Sequence, residues 1–159
     1  MKKLLLIFIV VSLFSGCKTI EKTSNTNNVF LTLEKTMCRG QCPVYSLSIF
    51  ENGLAQYTGK ENVEKIGTYL KSLSNSEIKR LKTAFNQANF FDFEDEYTAL
   101  VTDLPSTYIS YTQNGRTKKI RDHYGAPEAL KKLEELLVIV SESQEGWKKT
   151  EVLLLNPIK

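Results

Sequence analysis

Two Asn-Gly dipeptides, Asn52-Gly53 and Asn114-Gly115, each separate two segments in which apolar and polar residues alternate. An Asn-Gly step in this setting is the strongest short-range signal for a β-hairpin, because both residues tolerate the positive φ of a tight turn. The flanking segments are residues 44–50 and 54–58 for the first step, and 108–112 and 117–122 for the second. The sequence therefore predicts two hairpins about 60 residues apart.

A helix pattern follows each hairpin. Ser74-x-x-Glu77 is a capping box, which predicts a helix that begins after Ser74 and ends near Asn89. Pro127 stands at the start of a second helix, where its missing N–H costs nothing. Apolar residues fall on one face of each predicted helix: Ile78, Leu81, Phe85 and Ala88 in the first, and Leu130, Leu133, Leu137 and Val140 in the second.

These elements predict an α+β fold. Further strands are expected at 29–34 and 65–70, so we expect an antiparallel sheet of about five to six strands. The order hairpin-helix, hairpin-helix predicts that both helices pack on one face of the sheet. Residues 152–155 form either an added edge strand or a packing arm.

The N-terminal residues have the organisation of an export signal. Lys2 and Lys3 precede an apolar run, residues 4–14, that is too short for a membrane-spanning helix of about 20 residues. Small residues then lead to Cys17 in a segment similar to the lipobox of bacterial lipoproteins, which predicts acylation of Cys17; plain secretion is the alternative. Lys18 lacks the aspartate that retains well-studied lipoproteins at the inner membrane, which favours the outer membrane of a Gram-negative bacterium.

The chain divides into four predicted parts. Residues 1–16 are a lipoprotein signal peptide, and residues 17–28 are the lipidated cysteine and a polar, flexible tether. Residues 29–146 form a single α+β domain, and residues 147–159 form a C-terminal tail. The expected partners are therefore a membrane, through the lipid on Cys17, and an envelope protein.

Composition excludes several function classes. The formal charge of +3 includes Lys2 and Lys3, so the chain without its signal carries about +1. A near-neutral domain lacks the concentrated basic face that nucleic acid requires, so we expect no nucleic-acid partner. The sequence has no phosphate-binding Gly-rich loop, dinucleotide fingerprint or zinc-protease helix, and we expect no cofactor and assign no catalytic or metal-binding residue.

Cys38 and Cys42 remain after Cys17 is assigned to the lipid. Gly40 and Pro43 oppose a helix here, so a tight loop closed by a disulfide is the preferred interpretation. A redox-active dithiol is a second interpretation, although such dithiols usually have two spacer residues at a helix N-terminus. Metal binding is a third, but two cysteines and one histidine are too few for a closed zinc site.

Two polar segments allow functional interpretations. Residues 90–97 combine aromatic and acidic residues, and their aromatics either cover the core or form a partner-binding surface, while weak calcium binding is a third alternative. The candidate contact residues are Phe91, Asp92, Phe93, Glu94 and Asp95. His123 beside Asp122 suggests a serine hydrolase, but no Gly-x-Ser-x-Gly elbow is present, so we expect a polar loop that organises the second helix. Asp103 is expected to cap a turn.

Three short motifs carry a family resemblance. Residues 38–45 have the pattern C-x-G-x-C-P-x-Y, residues 103–105 read Asp-x-Pro, and residues 124–127 read Tyr-Gly-Ala-Pro. Over residues 30–142 the chain resembles a family of short bacterial lipoproteins with a domain of unknown function. The resemblance implies the fold, export and the cysteine motif, and no activity. The sequence thus favours a lipid-anchored, non-catalytic binding or assembly module of the cell envelope, with an envelope thiol-redox protein or sensor using Cys38 and Cys42 as the alternative.

Overall fold

The structure is a computed structural model that describes residues 28–151. The predicted signal peptide, Cys17, the tether up to residue 27 and the segment 152–155 lie outside the described residues. Within residues 28–151, no helix is both long enough and apolar enough to cross a membrane.

One eight-stranded sheet organises the described residues. The strands are β1 (Val29–Lys35), β2 (Val44–Phe50), β3 (Leu54–Glu61), β4 (Gly67–Ser72), β5 (Glu96–Tyr97), β6 (Thr107–Gln113), β7 (Arg116–Asp122) and β8 (Lys148–Thr150). Their order in the sheet is β5-β7-β6-β1-β2-β3-β4-β8. All neighbouring strands are antiparallel except β5 and β7, which pair in parallel.

The α+β class is confirmed, but the expected count of five to six strands is wrong. The six predicted strands form, and two edge strands of two and three residues, β5 and β8, are added. Strands this short show no alternation that sequence analysis can detect, because that signal needs about four residues. β8 lies in the predicted tail, before residues 152–155.

Both predicted helices form where the capping and turn signals place them. Helix α1 (Asn75–Gln87) begins after Ser74, whose side chain accepts from Glu77 N while the Glu77 carboxylate accepts from Ser74 N, so the capping box is confirmed. Helix α2 (Glu128–Glu142) begins after Pro127. A short 3-10 turn, Phe90–Asp92, follows α1 after Asn89, which has a φ of 51°.

The two Asn-Gly turns differ. Asn114 and Gly115 have φ values of 53° and 77°, as expected for a two-residue hairpin turn. In the first turn only Gly53 has a positive φ, 84°, and its N–H donates to Phe50 O. The Asn52 side chain instead accepts a hydrogen bond from Leu54 N. The expectation that both residues take a positive φ is therefore wrong for the first hairpin.

The core lies between the two helices and one face of the sheet. Leu33 of β1 pairs with Leu47 of β2 and with Ile109 of β6, and all three join one buried cluster with apolar residues of α1 and α2. The next position on β1, Thr32, pairs with Ser48 and Ser110 on the opposite, hydroxyl-rich face. This alternation across the sheet is the reason that both helices bury their apolar stripes on the same side.

Candidate functional site

The disulfide loop connects β1 to β2 at one end of the sheet. Cys38 and Cys42 form a disulfide with a Cα–Cα distance of 5.7 Å, which confirms the preferred interpretation of the pair. The Asn62 side chain donates to Cys42 O at 3.1 Å and so ties the loop to the segment after β3. Within residues 28–151, no group of three or more His, Cys, Asp and Glu side chains is arranged to hold a metal ion.

A second loop, residues 98–105, docks on the disulfide loop. Arg39 forms an ion pair of 3.2 Å with Asp103, and its backbone N–H donates to Asp103 O. Thr36 N donates to Ser106 O, and Ser106 N donates to the Thr36 hydroxyl at 2.9 Å. Asp103 therefore links the two loops. The sequence analysis expected it only to cap a turn.

Ser106, Arg121 and His123 form a directed hydrogen-bond chain under this loop. Arg121 Nε donates to Ser106 Oγ at 3.1 Å, so that hydroxyl is free to donate to His123 Nδ1, also at 3.1 Å. His123 Nε2 then carries the hydrogen and donates to Val101 O at 2.9 Å. Ser106 is only 6% exposed, so its hydroxyl is closed off from solvent, and this chain of hydrogen bonds ties the 98–105 loop to the end of β7.

The sequence analysis missed Ser106, although a signal for it existed. The second hairpin pairs Thr107 with Asp122, which places the preceding Ser106 opposite the following His123. Pro127 is the N-cap residue of α2 and no side chain caps that helix, so neither Asp122 nor His123 acts as its cap. His123 instead holds the 98–105 loop.

The two loops, together with Tyr124 after β7, expose an apolar surface, which we call the apolar tip. Among residues 28–151, five of the seven exposed large hydrophobic residues lie here: Met37, Leu100, Val101, Leu104 and Tyr124. Leu100 is fully exposed, and the Tyr124 backbone N–H donates to Tyr97 O at 3.2 Å. A clustered group of exposed hydrophobic residues is typical of a protein-binding or membrane-binding surface.

The acidic-aromatic segment lies along the outer edge of β7. Phe90 is buried, while Phe91 and Phe93 are half-buried against the core, so the aromatic side chains cover the end of the core. Asp92 and Glu94 are exposed to solvent. Of the five candidate contact residues, the aromatic pair thus has a packing role, and the acidic residues remain available at the surface.

Basic side chains of β7 hold this segment in place. Lys118 forms an ion pair of 2.9 Å with Asp95 and donates to Phe93 O. Arg121 forms an ion pair of 2.7 Å with Glu96. The segment therefore protects the edge of the sheet with paired charges and a strand of only two residues.

A pair of carboxyl groups lies behind the apolar tip. Glu134 of α2 and Asp122 of β7 each have one buried oxygen without a hydrogen-bond partner. Burial, followed by the negative charge of Asp122, raises the pKa of Glu134 from 4.5 to about 7, while Lys35 acts in the opposite direction. The Glu134 carboxyl can therefore hold a proton near neutral pH, and the alternation of the sequence did not predict this.

Comparison with known protein families identifies the domain. A family model described as "Domain of unknown function (DUF6438)" matches residues 29–140, which include both loops of the apolar tip, the disulfide and most of α2. No curated protein matches the sequence.

Proposed function

The chain belongs to the family of the domain of unknown function DUF6438, and we propose from its own residues that it is a non-catalytic, lipid-anchored binding or assembly module of the bacterial cell envelope. The lipid on Cys17 would hold it at the membrane, and the apolar tip would bind an envelope protein. One observation carries the proposal: among residues 28–151, four of the seven exposed large hydrophobic residues lie on two loops that are joined to each other, and a fifth, Tyr124, follows β7.

The direction of β1 favours a protein, and not the anchoring membrane, as the partner of the apolar tip. The strand begins at Val29, beside the first hairpin turn, where Glu51 N donates to Asn28 O. It ends at Lys35, next to Met37 of the tip. A seven-residue strand spans about 20 Å. A chain anchored upstream of Asn28 would therefore carry the tip on the side of the domain away from its attachment.

The bracing of the tip loops supports specific recognition. The disulfide closes one loop, and the Arg39–Asp103 ion pair joins the other loop to it. The His123–Val101 hydrogen bond ties that second loop to the end of β7. A surface that is ordered before binding loses less conformational entropy when it binds. The exposed ion pair contributes little to stability on its own, so its main effect is to align the two loops.

The acidic residues of the β7 edge form a second candidate contact. Asp92 and Glu94 are exposed, and Asp95 faces Lys118. They would bind a basic surface of the same partner. Reversal of these charges is therefore expected to weaken partner capture if this edge contributes to the interface.

The test is crosslinking of the full-length, membrane-inserted protein, followed by mass spectrometry of the captured material. Leu100→Ser with Leu104→Ser removes apolar surface from the tip, and Ile66→Ser with Ile139→Ser is a matched control at exposed sites elsewhere. We expect a stoichiometric envelope protein that is lost with the tip variant and kept with the control. Capture that survives the tip variant and fails only with Asp92→Lys and Glu94→Lys would move the interface to the β7 edge.

A thiol-redox function is the second candidate, and two observations favour it. The residues between the two cysteines are exposed to solvent, and Gly40 N–H donates to Cys38 Sγ at 3.2 Å, a contact that would stabilise a thiolate. This function requires a disulfide reducible in the range of oxidoreductases, whereas structural disulfides usually have potentials below about −300 mV. Mixed-disulfide partners trapped through Cys38 in a Cys42→Ala variant would support it.

If the protein is a non-catalytic binding module, the disulfide is expected to contribute to stability and not to partner capture. Replacing both by serine is expected to lower the free energy of unfolding by on the order of 2 kcal/mol, because a five-residue ring restricts the unfolded chain only modestly. Partner capture by the folded fraction is expected to persist.

A further inference from the structure

Two carboxyl groups from different elements meet behind the apolar tip. Glu134 lies in the middle of α2, within hydrogen-bond reach of Asp122, the last residue of β7. An ionised carboxyl group only accepts hydrogen bonds, so two carboxylates cannot bond to each other. One buried oxygen of each group indeed has no donor among residues 28–151. A proton on Glu134 supplies a donor, so the contact is that of a carboxyl group with a carboxylate.

Charged groups on neighbouring elements act on Glu134 in opposite directions. Burial, which has the largest effect, and the charge of Asp122 raise its pKa to about 7, whereas Lys35 of β1 and Lys131 of α2 lower it. Lys35 and Asp122 lie on the same face of the sheet, because both pair in register with Thr107 of β6. Both are therefore on the side of the sheet that α2 covers.

The end of β7 also carries the base of the apolar tip. Asp122 pairs with Tyr97 of β5, and the next two backbone N–H groups, of His123 and Tyr124, both donate to Tyr97 O, at 2.8 and 3.2 Å. The His123 ring faces away from the carboxyl pair and donates to Val101 O at 2.9 Å, which holds the 98–105 loop. A displacement of Asp122 therefore reaches this loop through the adjacent residue.

The two sides of the carboxyl pair are held with different firmness. On α2, Glu134 lies next to Leu133 and one turn before Leu137, which are 3% and 0% exposed. Asp122 instead ends its strand, and β5 beside it has only two residues. Two ionised carboxyl groups at this distance repel each other. The end of β7 would therefore move to relieve the repulsion, while α2 stays packed on the core.

We infer that Glu134 and Asp122 form a pH-sensitive switch, in which a proton on Glu134 holds the end of β7 against α2 and loss of that proton loosens the 98–105 loop. The contact raises the pKa of Glu134, so its contribution is fully present below pH 4.5 and is lost as the pH rises through about 7. The apolar tip is thus most ordered in acid and loosens at alkaline pH. This inference does not depend on what the tip binds.

Hydrogen exchange at pH 5, 6.5 and 8 tests the switch. The full-length protein in detergent micelles is followed residue by residue by NMR, and the rates are converted to protection factors, which removes the intrinsic pH dependence of exchange. We expect the protection of residues 96–106 and 122–124 to fall at least about tenfold between pH 5 and pH 8. Residues 51–54, in the first hairpin turn at the opposite end of β1, are the internal reference and should not change in parallel.

Variants separate the switch from global unfolding. Glu134→Gln keeps a donor at this position at every pH, so the loop is expected to be protected as well at pH 8 as at pH 5. Lys35→Met removes a positive charge that favours ionisation, so the loss of protection is expected to move to higher pH. Glu135→Gln, at an exposed position of α2, is the matched control and should follow the parent. The inference is overturned if protection of residues 96–106 does not change with pH in the parent, or if it falls equally in Glu134→Gln.

Discussion

Replacement of Glu134 by glutamine is expected to stabilise the protein at alkaline pH. The pKa of this carboxyl rises from 4.5 to about 7 on folding, mainly because it is buried and faces Asp122. The folded protein therefore holds a proton that the unfolded chain releases between these pH values. Its contribution to stability is fully present below pH 4.5 and is lost as the pH rises through about 7. Glutamine stays neutral at every pH and removes this loss.

The magnitude follows from the pKa change. At about 1.4 kcal/mol per pH unit, the interval from 4.5 to about 7 corresponds to roughly 3.5 kcal/mol. The side chain keeps some contact with solvent, which screens the interaction, so we expect roughly 2 kcal/mol. Glu134→Gln should thus unfold at higher urea than the parent at pH 8, and at similar urea at pH 5.

Urea denaturation at pH 5, 6.5 and 8 measures this difference. Subtracting the parent from the variant at each pH cancels the other groups that titrate in the same range. Glu135→Gln, an exposed neighbour on α2, is the matched control and should show no pH-dependent gain. A Glu134→Gln protein that is less stable than its parent at pH 8 would refute the argument that burial and Asp122 favour the protonated carboxyl.

Two backbone features give further predictions. Ser74→Ala removes the side-chain half of the capping box and should lower the free energy of unfolding by about 1 kcal/mol in urea denaturation, and an unchanged midpoint would contradict the cap. Gly59→Ala should prevent folding, because the added Cβ would lie 1.9 Å from Lys65 O. In Gly115→Ala the added Cβ meets no atom within 4 Å, so this control should lower the free energy of unfolding by only about 1 kcal/mol, because of its positive φ. If Gly59→Ala and Gly115→Ala are equally soluble and melt at the same temperature, the close approach at Gly59 is contradicted.

Local signals predicted the elements whose causes are local. The Ser74–Glu77 cap and the Asn114-Gly115 turn depend on residues a few positions apart, and both form as expected. β5 and β8 depend on distant partners instead: β8 pairs with β4, nearly 80 residues earlier in the chain. Two or three residues carry no periodicity, so only the open edges of the sheet determine where they pair.

The candidate site was less predictable for a similar reason. The cysteine pair is a local feature and was identified, whereas the apolar tip depends on the Arg39–Asp103 and His123–Val101 contacts, which join separate parts of the chain. Leu100 lies in a segment without alternation, so its full exposure had no sequence signal. The alternation of β2 predicts that Tyr45 faces inward, and its side chain is buried.

β1 lies in the interior of the sheet, between β2 and β6, and this position limits how the chain can be divided into fragments. Leu33 pairs with Leu47, 14 residues later, on one side and with Ile109, 76 residues later, on the other. During synthesis β1 therefore emerges long before β6 exists, and its second edge stays open until most of the domain has been made. Such long-range pairing slows folding and leaves an unpaired strand exposed to other chains. A fragment that ends at α1 would keep four paired strands and still be prone to associate through that edge.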